Sequence, residues 1–537
     1  MPLVKIDSQE VEIGKNETVF NAAKRVGIDI PFYCYHPGLK IVASCRMCLV
    51  DMVGAPKLVP ACSTTVPELP EAKKIEGKFD AVIFTDNEKV KTARRAVLEF
   101  LLLNHPIDCP ICDKAGECKL QDYSFEHGND ASRFTEIKRI PEKKDLGPSI
   151  FLYTSRCIMC SRCVRFTEEI SGTEELKVTY RGWHAEIDVA PEKPLNNKMM
   201  GNVVDLCPVG CLIDKHERFE GRVWNFVHTD SVCPGCSKGC NTTLDTMKHQ
   251  KLNLEELVDQ VYRIRPRENM SVNQWWICDD GRYHLEADKK KTRIMVPHVK
   301  QGSKLAEVSW VEAMSVTLQK IKAVSTKEVA LIGSPYASNE ENYLLGKLAR
   351  LLGTGLDVSK PIYGDTQTFK TDKNPHPFTI ESEKAPNYRG AKTILNLNDS
   401  QLDKTLADKK VVVLLGSHNI ELKSKPETLI VIGSFEDTVT AQADVLLPAA
   451  LFTETSGTYT NKDGVVQKFN RAINALGESK AIWQILVELA AGLGQSWYYE
   501  NVGDIAKEMT ENVSAYKTLE LDKLYPQFST LNEQMVV

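Results

Sequence analysis

Residues 157–163 read CIMCSRC, and residues 205–210 read DLCPVG. Three cysteines in one short loop can supply three ligands to a metal centre, and Cys207 can supply the fourth from a distant segment. Thiolate is a soft ligand that selects zinc, copper(I) and iron–sulfur clusters. We therefore predict that Cys157, Cys160, Cys163 and Cys207 hold one four-iron, four-sulfur cluster. Cys211 is then left over, and we predict a small buried core residue there.

Another cysteine group follows a strand–strand–helix pattern near the N-terminus. Apolar periodicity predicts strands at 3–6 and 9–13 and a helix at 17–25. This start is similar to that of a plant-type ferredoxin, although the first cysteine gap is wider than usual. The scaffold predicts a two-iron, two-sulfur cluster, with a structural zinc site as the alternative. Its ligands would be Cys34, Cys45, Cys48 and Cys62.

The string HPIDCPICDKAGEC at 105–118 contains only three thiols. His105 stands four residues before Cys109 and can supply the missing ligand of a second four-iron cluster. A neutral imidazole in place of a thiolate removes one negative charge and should raise the reduction potential. The alternative is that His105 ends the helix predicted at 88–103 and interacts with its dipole. The predicted ligands are His105, Cys109, Cys112 and Cys118.

A further set has the spacing Cys-x2-Cys-x3-Cys-x37-Cys, and a strand is predicted around 224–228, just before it. We predict a third four-iron cluster here, with zinc as a stronger competitor because the two ends resemble a split zinc ribbon. The ligands would be Cys233, Cys236, Cys240 and Cys278.

All 16 cysteines of the 537-residue chain lie between Cys34 and Cys278. A secretory signal and a transit peptide are not apparent, so metal binding is favoured over disulfides. The net charge of −5 gives no support to a nucleic-acid or anionic-membrane partner. No apolar run is long enough to span a bilayer, so we expect another subunit to provide any membrane attachment.

The back of the chain contains apolar runs at 329–333, 411–416 and 428–433, with a helical pattern at 340–352. Strands that alternate with helices predict a parallel, doubly wound α/β domain. The tail after about Gln495 is polar and predicts a poorly specified helix. No Gly-x-Gly-x-x-Gly motif follows a strand, so no nucleotide site is expected.

The ordered ligand sets resemble the large iron–sulfur subunit of respiratory complex I, NADH:quinone oxidoreductase. The resemblance covers roughly residues 2–284 and includes the histidine-ligated set, SRCIMCSRCVRF and DLCPVG. The fourth set resembles an additional cluster of some bacterial members, although its last gap is longer than expected. The back is similar to the molybdopterin oxidoreductase fold, at 333–335 and at ADVLLPAALFTETSGTYTNKDGVVQ. The residues that carry this likeness in the second stretch are Asp444, Pro448, Glu454, Gly457, Asn461 and Gly464.

The resemblance implies an α+β front, with a ferredoxin-like β-grasp and four-iron ferredoxin-type units, followed by a molybdopterin-oxidoreductase-like α/β domain. It implies an electron-transfer subunit that passes electrons from a flavin-bearing subunit toward quinone. The NADH and quinone sites would lie on other subunits, and no catalytic residue is expected on this chain. The clusters of His105 and Cys157 would lie on the main route. The two-iron cluster would be a side branch, and the fourth cluster would lie too far away to conduct.

We expect five domains, at 1–80, 81–140, 141–220, 221–284 and 285–537, of which the last is shortened. The back is short for two pterin-binding halves, and no cysteine follows Cys278 to serve as a metal ligand, although serine could substitute. We therefore expect a scaffold without molybdenum. The expected location is peripheral, on the cytoplasmic side of a bacterial inner membrane, with other complex I subunits as partners. The alternatives are an NAD-linked formate dehydrogenase subunit, an iron-only hydrogenase and a zinc-stapled assembly scaffold without a redox role.

Overall fold

The computed structural model describes residues 1–190, 193–250, 257–416, 420, 422, 425–521, 524 and 529–530. The chain divides into two compact units. The first contains residues 1–226 and a returning segment at 369–378, and the second contains residues 227–368 and 379–537. The first three cysteine sets therefore belong to the first unit, whereas the fourth set shares a unit with the α/β domain.

The first unit begins with a mixed five-stranded sheet. The strand order is β2-β1-β5-β3-β4, with β1 and β5 parallel and the other pairs antiparallel. Helix α1 buries Val19, Phe20, Ala22 and Ala23 in the core beneath this sheet. The strands are β1 (Leu3–Ile6), β2 (Gln9–Glu12), β3 (Leu49–Met52), β4 (Val59–Pro60) and β5 (Ala81–Phe84), and the helix is α1 (Val19–Arg25).

The rest of the first unit is made of short elements separated by the cysteine loops. A three-stranded sheet has the order β10-β7-β6, and β8 pairs with β9. The elements are α2 (Glu88–Leu102), α3 (Lys119–His127), β6 (Lys143–Asp145), β7 (Ile150–Tyr153), α4 (Arg162–Glu169), β8 (Leu176–Thr179), β9 (Glu186–Val189), α5 (Asn202–Leu206) and β10 (Leu212–Asp214).

The second unit begins with an antiparallel meander of three strands and two short helices around the fourth cysteine set. The strand that was expected around 224–228 begins at Val227, after a short 3-10 turn at Val223–Asn225. The elements are β11 (Val227–Val232), β12 (Asn241–Gln250), β13 (Leu257–Pro266), α6 (Asp279–Arg282) and α7 (His284–Asp288).

A seven-stranded sheet forms the centre of the second unit, in the order β15-β14-β22-β21-β20-β16-β17. The five strands from β22 to β17 are parallel, whereas β14 and β15 add an antiparallel edge that the sequence did not predict. The strands are β14 (His298–Gln301), β15 (Lys304–Glu307), β16 (Val329–Gly333), β17 (Gly355–Val358), β20 (Val411–Leu415), β21 (Thr428–Gly433) and β22 (Val445–Pro448).

Both faces of this sheet are covered, as a doubly wound domain requires. Alternate residues of β16 enter two separate cores, with Val329 and Leu331 on one face and Ala330 and Ile332 on the other. The remaining elements are α8 (Trp310–Lys322), α9 (Asn339–Leu352), β18 (Gln367–Phe369), β19 (Phe378–Ile380), α10 (Tyr388–Leu395), α11 (Leu402–Leu406), β23 (Gly457–Thr460), β24 (Val465–Phe469), α12 (Ile482–Gly492), α13 (Val502–Asn512) and β25 (Ser529–Thr530).

The predicted strands at β1, β16 and β21 are confirmed at their full length. In the described part of the tail, a regular helix is present where the polar sequence predicted a poorly specified one. Helix α13 begins at an Asn501–Asp504 capping box and buries Ile505 and Met509 in the core.

Helix α9 begins with a buried capping box in which Ser338 N donates to the Glu341 carboxylate at 2.8 Å. Burial raises the pKa of Glu341 to about 7 from 4.5. The folded state therefore holds this proton more tightly than the unfolded chain does. The stability gained from protonation is complete below about pH 4.5 and is lost as the pH rises to about 7, at up to ~1.4 kcal/mol per pH unit.

Glu341→Gln is expected to be more stable than the unmodified chain at pH 8, by ~1–3 kcal/mol, with little difference near pH 4.5. Thermal unfolding midpoints between pH 4.5 and 8 measure this effect. Glu328 closes a solvent-accessible capping box with Ser325, so Glu328→Gln is the matched control and should not stabilise at pH 8. The prediction would be contradicted if the unfolding midpoint of Glu341→Gln changed with pH in the same way as that of the unmodified chain.

Candidate iron–sulfur sites

The third ligand set converges on a single cavity. Cys157 follows a 3-10 turn, Cys163 lies in the first turn of α4, and Cys207 follows α5. Met159 and Ser161 adopt left-handed backbone conformations that fold the loop tightly. The cavity wall contains all four predicted ligands, together with Cys211, two polar residues and five apolar ones: Cys157, Cys160, Cys163, Cys207, Cys211, Ser161, Arg162, Leu152, Ile158, Ile187, Val209 and Leu212.

Burial and hydrogen bonds shift the pKa values of these thiols. Burial raises the pKa of Cys160 to about 12 and that of Cys163 well above its ordinary value. A hydrogen bond from Cys211 lowers the pKa of Cys207 to about 6, with help from the N–H groups of Val209 and Leu212. Burial disfavours bare thiolates, whereas a bound cationic metal core would stabilise them while their sulfurs keep the same N–H hydrogen bonds.

Cys211 is buried, as predicted, but it lies among the candidate ligands instead of in an ordinary apolar core. Its thiol contacts both Cys157 and Cys207 through hydrogen bonds that raise its own pKa. The cavity is therefore lined by five thiols, and the sequence spacing alone did not reveal this contact.

The second set consists of His105 and the three cysteines that follow it along the chain. Nδ1 of His105 is buried and makes no hydrogen bond within the described residues. Burial lowers the pKa of His105 to about 4, so the ring is neutral at pH 7 and able to act as a ligand. Lys138, not the His105 ring, donates to the Leu102 carbonyl at the end of α2. This geometry favours the ligand interpretation of His105 over a role at the helix terminus.

The three thiols of this set lie on the turns between α2 and α3. Cys109 begins a 3-10 turn, Cys112 follows it, and Cys118 precedes α3. Burial raises the pKa values of Cys112 and Cys118. Backbone N–H groups of Leu120 and Gln121, at the start of α3, donate to the Cys118 sulfur.

The second and third sets meet at Gly210, a residue that no sequence motif marks as part of the second site. A Cβ atom built on Gly210 would lie 2.2 Å from the Cys112 sulfur. Nearby, Lys119 N donates to the Pro208 carbonyl at 3.2 Å. The segment that begins at Cys207 therefore forms part of the wall of the second site.

In the first set, the four thiols form two contacting pairs. A hydrogen bond from Cys45 lowers the pKa of Cys34 to about 5, and one from Cys62 lowers the pKa of Cys48. Left-handed conformations at Ala43 and Arg46 shape the intervening loop. The Cys62 sulfur is also close enough to Cys34 and Cys45 for their charges to raise its pKa. The geometry brings all four predicted ligands of the two-iron site together.

The fourth set is held by the second unit alone. Cys233 N donates to the Cys240 carbonyl at 2.8 Å, which closes the loop, and Cys278 caps α6. Burial raises the pKa of Cys233 to about 12. The charges of Cys233 and Cys236 also raise the pKa of Cys278, so the remote cysteine lies near the loop.

The β23–β24 hairpin supports this fourth loop. Asn461 donates to the Lys238 carbonyl at 3.0 Å, and Gln467 donates to the Gly239 carbonyl at 2.9 Å. Asn461 therefore has a structural role in the stretch that carries the molybdopterin-type likeness. In the same stretch, Glu454 forms a buried ion pair with Arg293 at 2.6 Å, and Asp444 accepts from Leu429 N at 2.9 Å.

In the described part of the chain, no three His, Cys, Asp or Glu side chains converge as closely as one metal ion requires. The described residues also include no helix with the length and apolar character needed to cross a bilayer.

Four family models match successive parts of the chain. The two-iron, two-sulfur cluster binding domain matches residues 3–73, and the NADH-ubiquinone oxidoreductase-G iron–sulfur binding region matches residues 94–133. The ferredoxin-like domain of NADH-quinone oxidoreductase subunit 3 matches residues 147–213. The molybdopterin oxidoreductase model matches residues 394–492. Together with the thiol sites, these matches define an iron–sulfur electron-transfer protein that carries a molybdopterin-oxidoreductase-like α/β domain.

The NADH-quinone oxidoreductase G subunit of Rickettsia felis is 29% identical over 645 aligned positions, which cover 98% of this chain and 93% of the relative. The mitochondrial NADH dehydrogenase [ubiquinone] iron–sulfur protein 1 of Solanum tuberosum is 29% identical over 650 positions, which cover 98% of this chain and 85% of the relative. The NADH-ubiquinone oxidoreductase 75 kDa subunit of Reclinomonas americana is 37% identical over 365 positions, which cover 67% of this chain and 49% of the relative. The chain is a homologue of this large iron–sulfur subunit of NADH-quinone oxidoreductase.

The two longer alignments exceed the 537 residues of this chain, so those relatives carry segments that it lacks.

Proposed function

We propose that the chain carries single electrons from a flavin-bearing subunit toward quinone through clusters held by its first unit. The observation that supports this proposal is the approach of Gly210, in the segment between Cys207 and Cys211, to the sulfur of Cys112, a proposed ligand of the second set. Electron transfer between clusters requires neighbouring sites. The partners would be other complex I subunits, and the location would be peripheral, on the cytoplasmic side of a bacterial inner membrane.

The proposed ligands are those predicted from the sequence. One two-iron cluster would be held by Cys34, Cys45, Cys48 and Cys62. Two four-iron clusters would be held by His105, Cys109, Cys112 and Cys118, and by Cys157, Cys160, Cys163 and Cys207. A third would be held by Cys233, Cys236, Cys240 and Cys278. The unpartnered imidazole of His105 and the N–H groups aimed at the cysteine sulfurs support this assignment.

We propose the five domains 1–80, 81–140, 141–220, 221–284 and 285–537, with a β-grasp in the first, and no molybdenum in the last. No cysteine follows Cys278 to act as a ligand. In addition, the carboxyl end of β16, where α/β sheets commonly bind ligands, is filled by polar side chains. Asn342 accepts from Ser334 N at 3.1 Å, and Asn387 donates to the Ala337 carbonyl at 2.8 Å.

Analysis of iron, acid-labile sulfide, zinc and molybdenum in the anaerobically purified chain tests the cofactors. Low-temperature electron paramagnetic resonance of the dithionite-reduced chain should show one two-iron signal and up to three four-iron signals. Zinc without sulfide would establish the scaffold alternative. Bound molybdenum would instead favour the formate dehydrogenase alternative.

His105→Cys is expected to lower the reduction potential of one four-iron signal, by on the order of 0.1 V, because a thiolate adds a negative charge that imidazole lacks. Potentiometric titration followed by electron paramagnetic resonance measures the change. His127, at the end of α3, is outside every proposed ligand set, so His127→Cys is the control. Unchanged potentials in His105→Cys would refute the ligand role of His105.

A further inference from the structure

Two buried arginines lie on α4 between ligand segments of the first and third sets. Arg162 and Arg165 are 6% and 5% exposed. Neither guanidinium forms an ion pair with a carboxylate in the described ranges. They bond instead to backbone carbonyls and the Ser161 hydroxyl, and Arg162 also faces the Phe32 ring, with 5.6 Å to its centroid.

The accepting carbonyls belong to both sites. Arg165 donates to the carbonyl of Cys34 at 2.5 Å and, at 3.4 Å, to that of Cys160. Arg162 donates to the carbonyl of Leu206, the residue before Cys207, at 3.1 Å. Its other contact is the carbonyl of Tyr35, the residue after Cys34, at 2.5 Å. Each arginine therefore bridges one segment of the first set and one segment of the third.

A buried cation without an anionic partner is unfavourable by several kcal/mol. Burial accordingly lowers the pKa of Arg162, and the charges of Cys160, Cys207 and Cys34 oppose that shift. Iron–sulfur clusters bound at the first and third ligand sets would supply the missing negative charge. An oxidised two-iron or four-iron core carries two positive charges and binds four thiolates, so each four-cysteine cluster has a net charge of about −2. One-electron reduction makes this charge about −3, without a bond formed or broken.

We propose that Arg162 and Arg165 are charge-compensating residues that raise the reduction potentials of the first-set and third-set clusters together. The inference rests on the ligand assignment made under Proposed function. Because both cations are held away from water, their effect is weakly screened by salt. They also connect the two sites mechanically, since the same guanidinium groups bind both ligand segments.

The test is a potentiometric titration of the full chain, with dithionite as the reductant, followed by electron paramagnetic resonance. In Arg165→Met we expect the oxidised-to-reduced ratio at a fixed potential to rise about tenfold for both clusters, which is a 59 mV drop for a one-electron couple. Arg165→Lys keeps the charge and should retain most of the original potential. Arg181→Met, which removes an exposed charge from the same unit, should leave both potentials unchanged.

Arg165→Gln and Arg162→Met provide the same test if Arg165→Met does not assemble both clusters. Assembly in Arg165→Lys but in none of the neutral variants would also support the proposal, because the charge and not the side-chain length would then be required. A neutral variant that holds both clusters at unchanged potentials overturns the inference. If the unmodified chain shows no iron–sulfur signal, the proposed function itself fails, and the two failures are thereby distinguished.

Discussion

Gly210→Ala is expected to abolish one four-iron cluster, that of the second set. The added methyl carbon would lie 2.2 Å from the Cys112 sulfur, far inside any van der Waals contact. Either the sulfur leaves its ligand position or the segment after Cys207 shifts and disturbs the third site. We expect the loss of about four iron atoms per chain and an overpacking cost of ~1–3 kcal/mol. Iron analysis and the reduced-state resonance spectrum measure these effects.

Gly235→Ala is the matched control for this substitution. Gly235 also lies beside a candidate ligand, but its Cβ would be 3.5 Å from the Cys233 sulfur, which is ordinary contact. All signals should persist in this variant. If Gly210→Ala retained every cluster at full occupancy, Cys112 would not be a ligand in this geometry.

Arg293→Met is expected to destabilise the second unit by ~3–5 kcal/mol, because it leaves the Glu454 carboxylate buried without its cation. The Arg293 Nη2 to Glu454 Oε2 distance is 2.6 Å, and the Glu454 side chain is fully buried. Burial already raises the pKa of Glu454, and the arginine opposes that effect. Without Arg293 the carboxyl group takes up a proton more readily, so the loss should be larger at pH 8 than at pH 5. Thermal unfolding midpoints at the two pH values measure this difference.

The double variant Arg293→Met/Glu454→Met should recover much of the loss, since it removes both charges from the interior. Lys480 and Glu488 form a partly exposed ion pair, so Glu488→Gln should cost no more than ~1 kcal/mol. If the thermal unfolding midpoint of Arg293→Met equalled that of Glu488→Gln within error, the buried ion pair would contribute little to stability.

The regular elements were largely predictable because their causes are local. Continuous apolar runs predicted the buried parallel strands β16 and β21 at their full length. The antiparallel edge of β14 and β15 was not predictable, because its partly exposed residues carry no strong apolar pattern. Burial of α13 likewise depends on packing against distant residues, which a polar sequence does not reveal.

The candidate ligand types and their order come from the amino-acid sequence alone, since closely spaced cysteines are positioned by short turns whatever the rest of the chain does. The distant atoms that meet these ligands depend instead on the folded chain: Gly210 at the Cys112 sulfur, Cys211 inside the third cavity, and Arg165 between Cys34 and Cys160. The physical reason is that these contacts join residues far apart in the chain through burial and shape. A spacing pattern records only neighbours along the sequence.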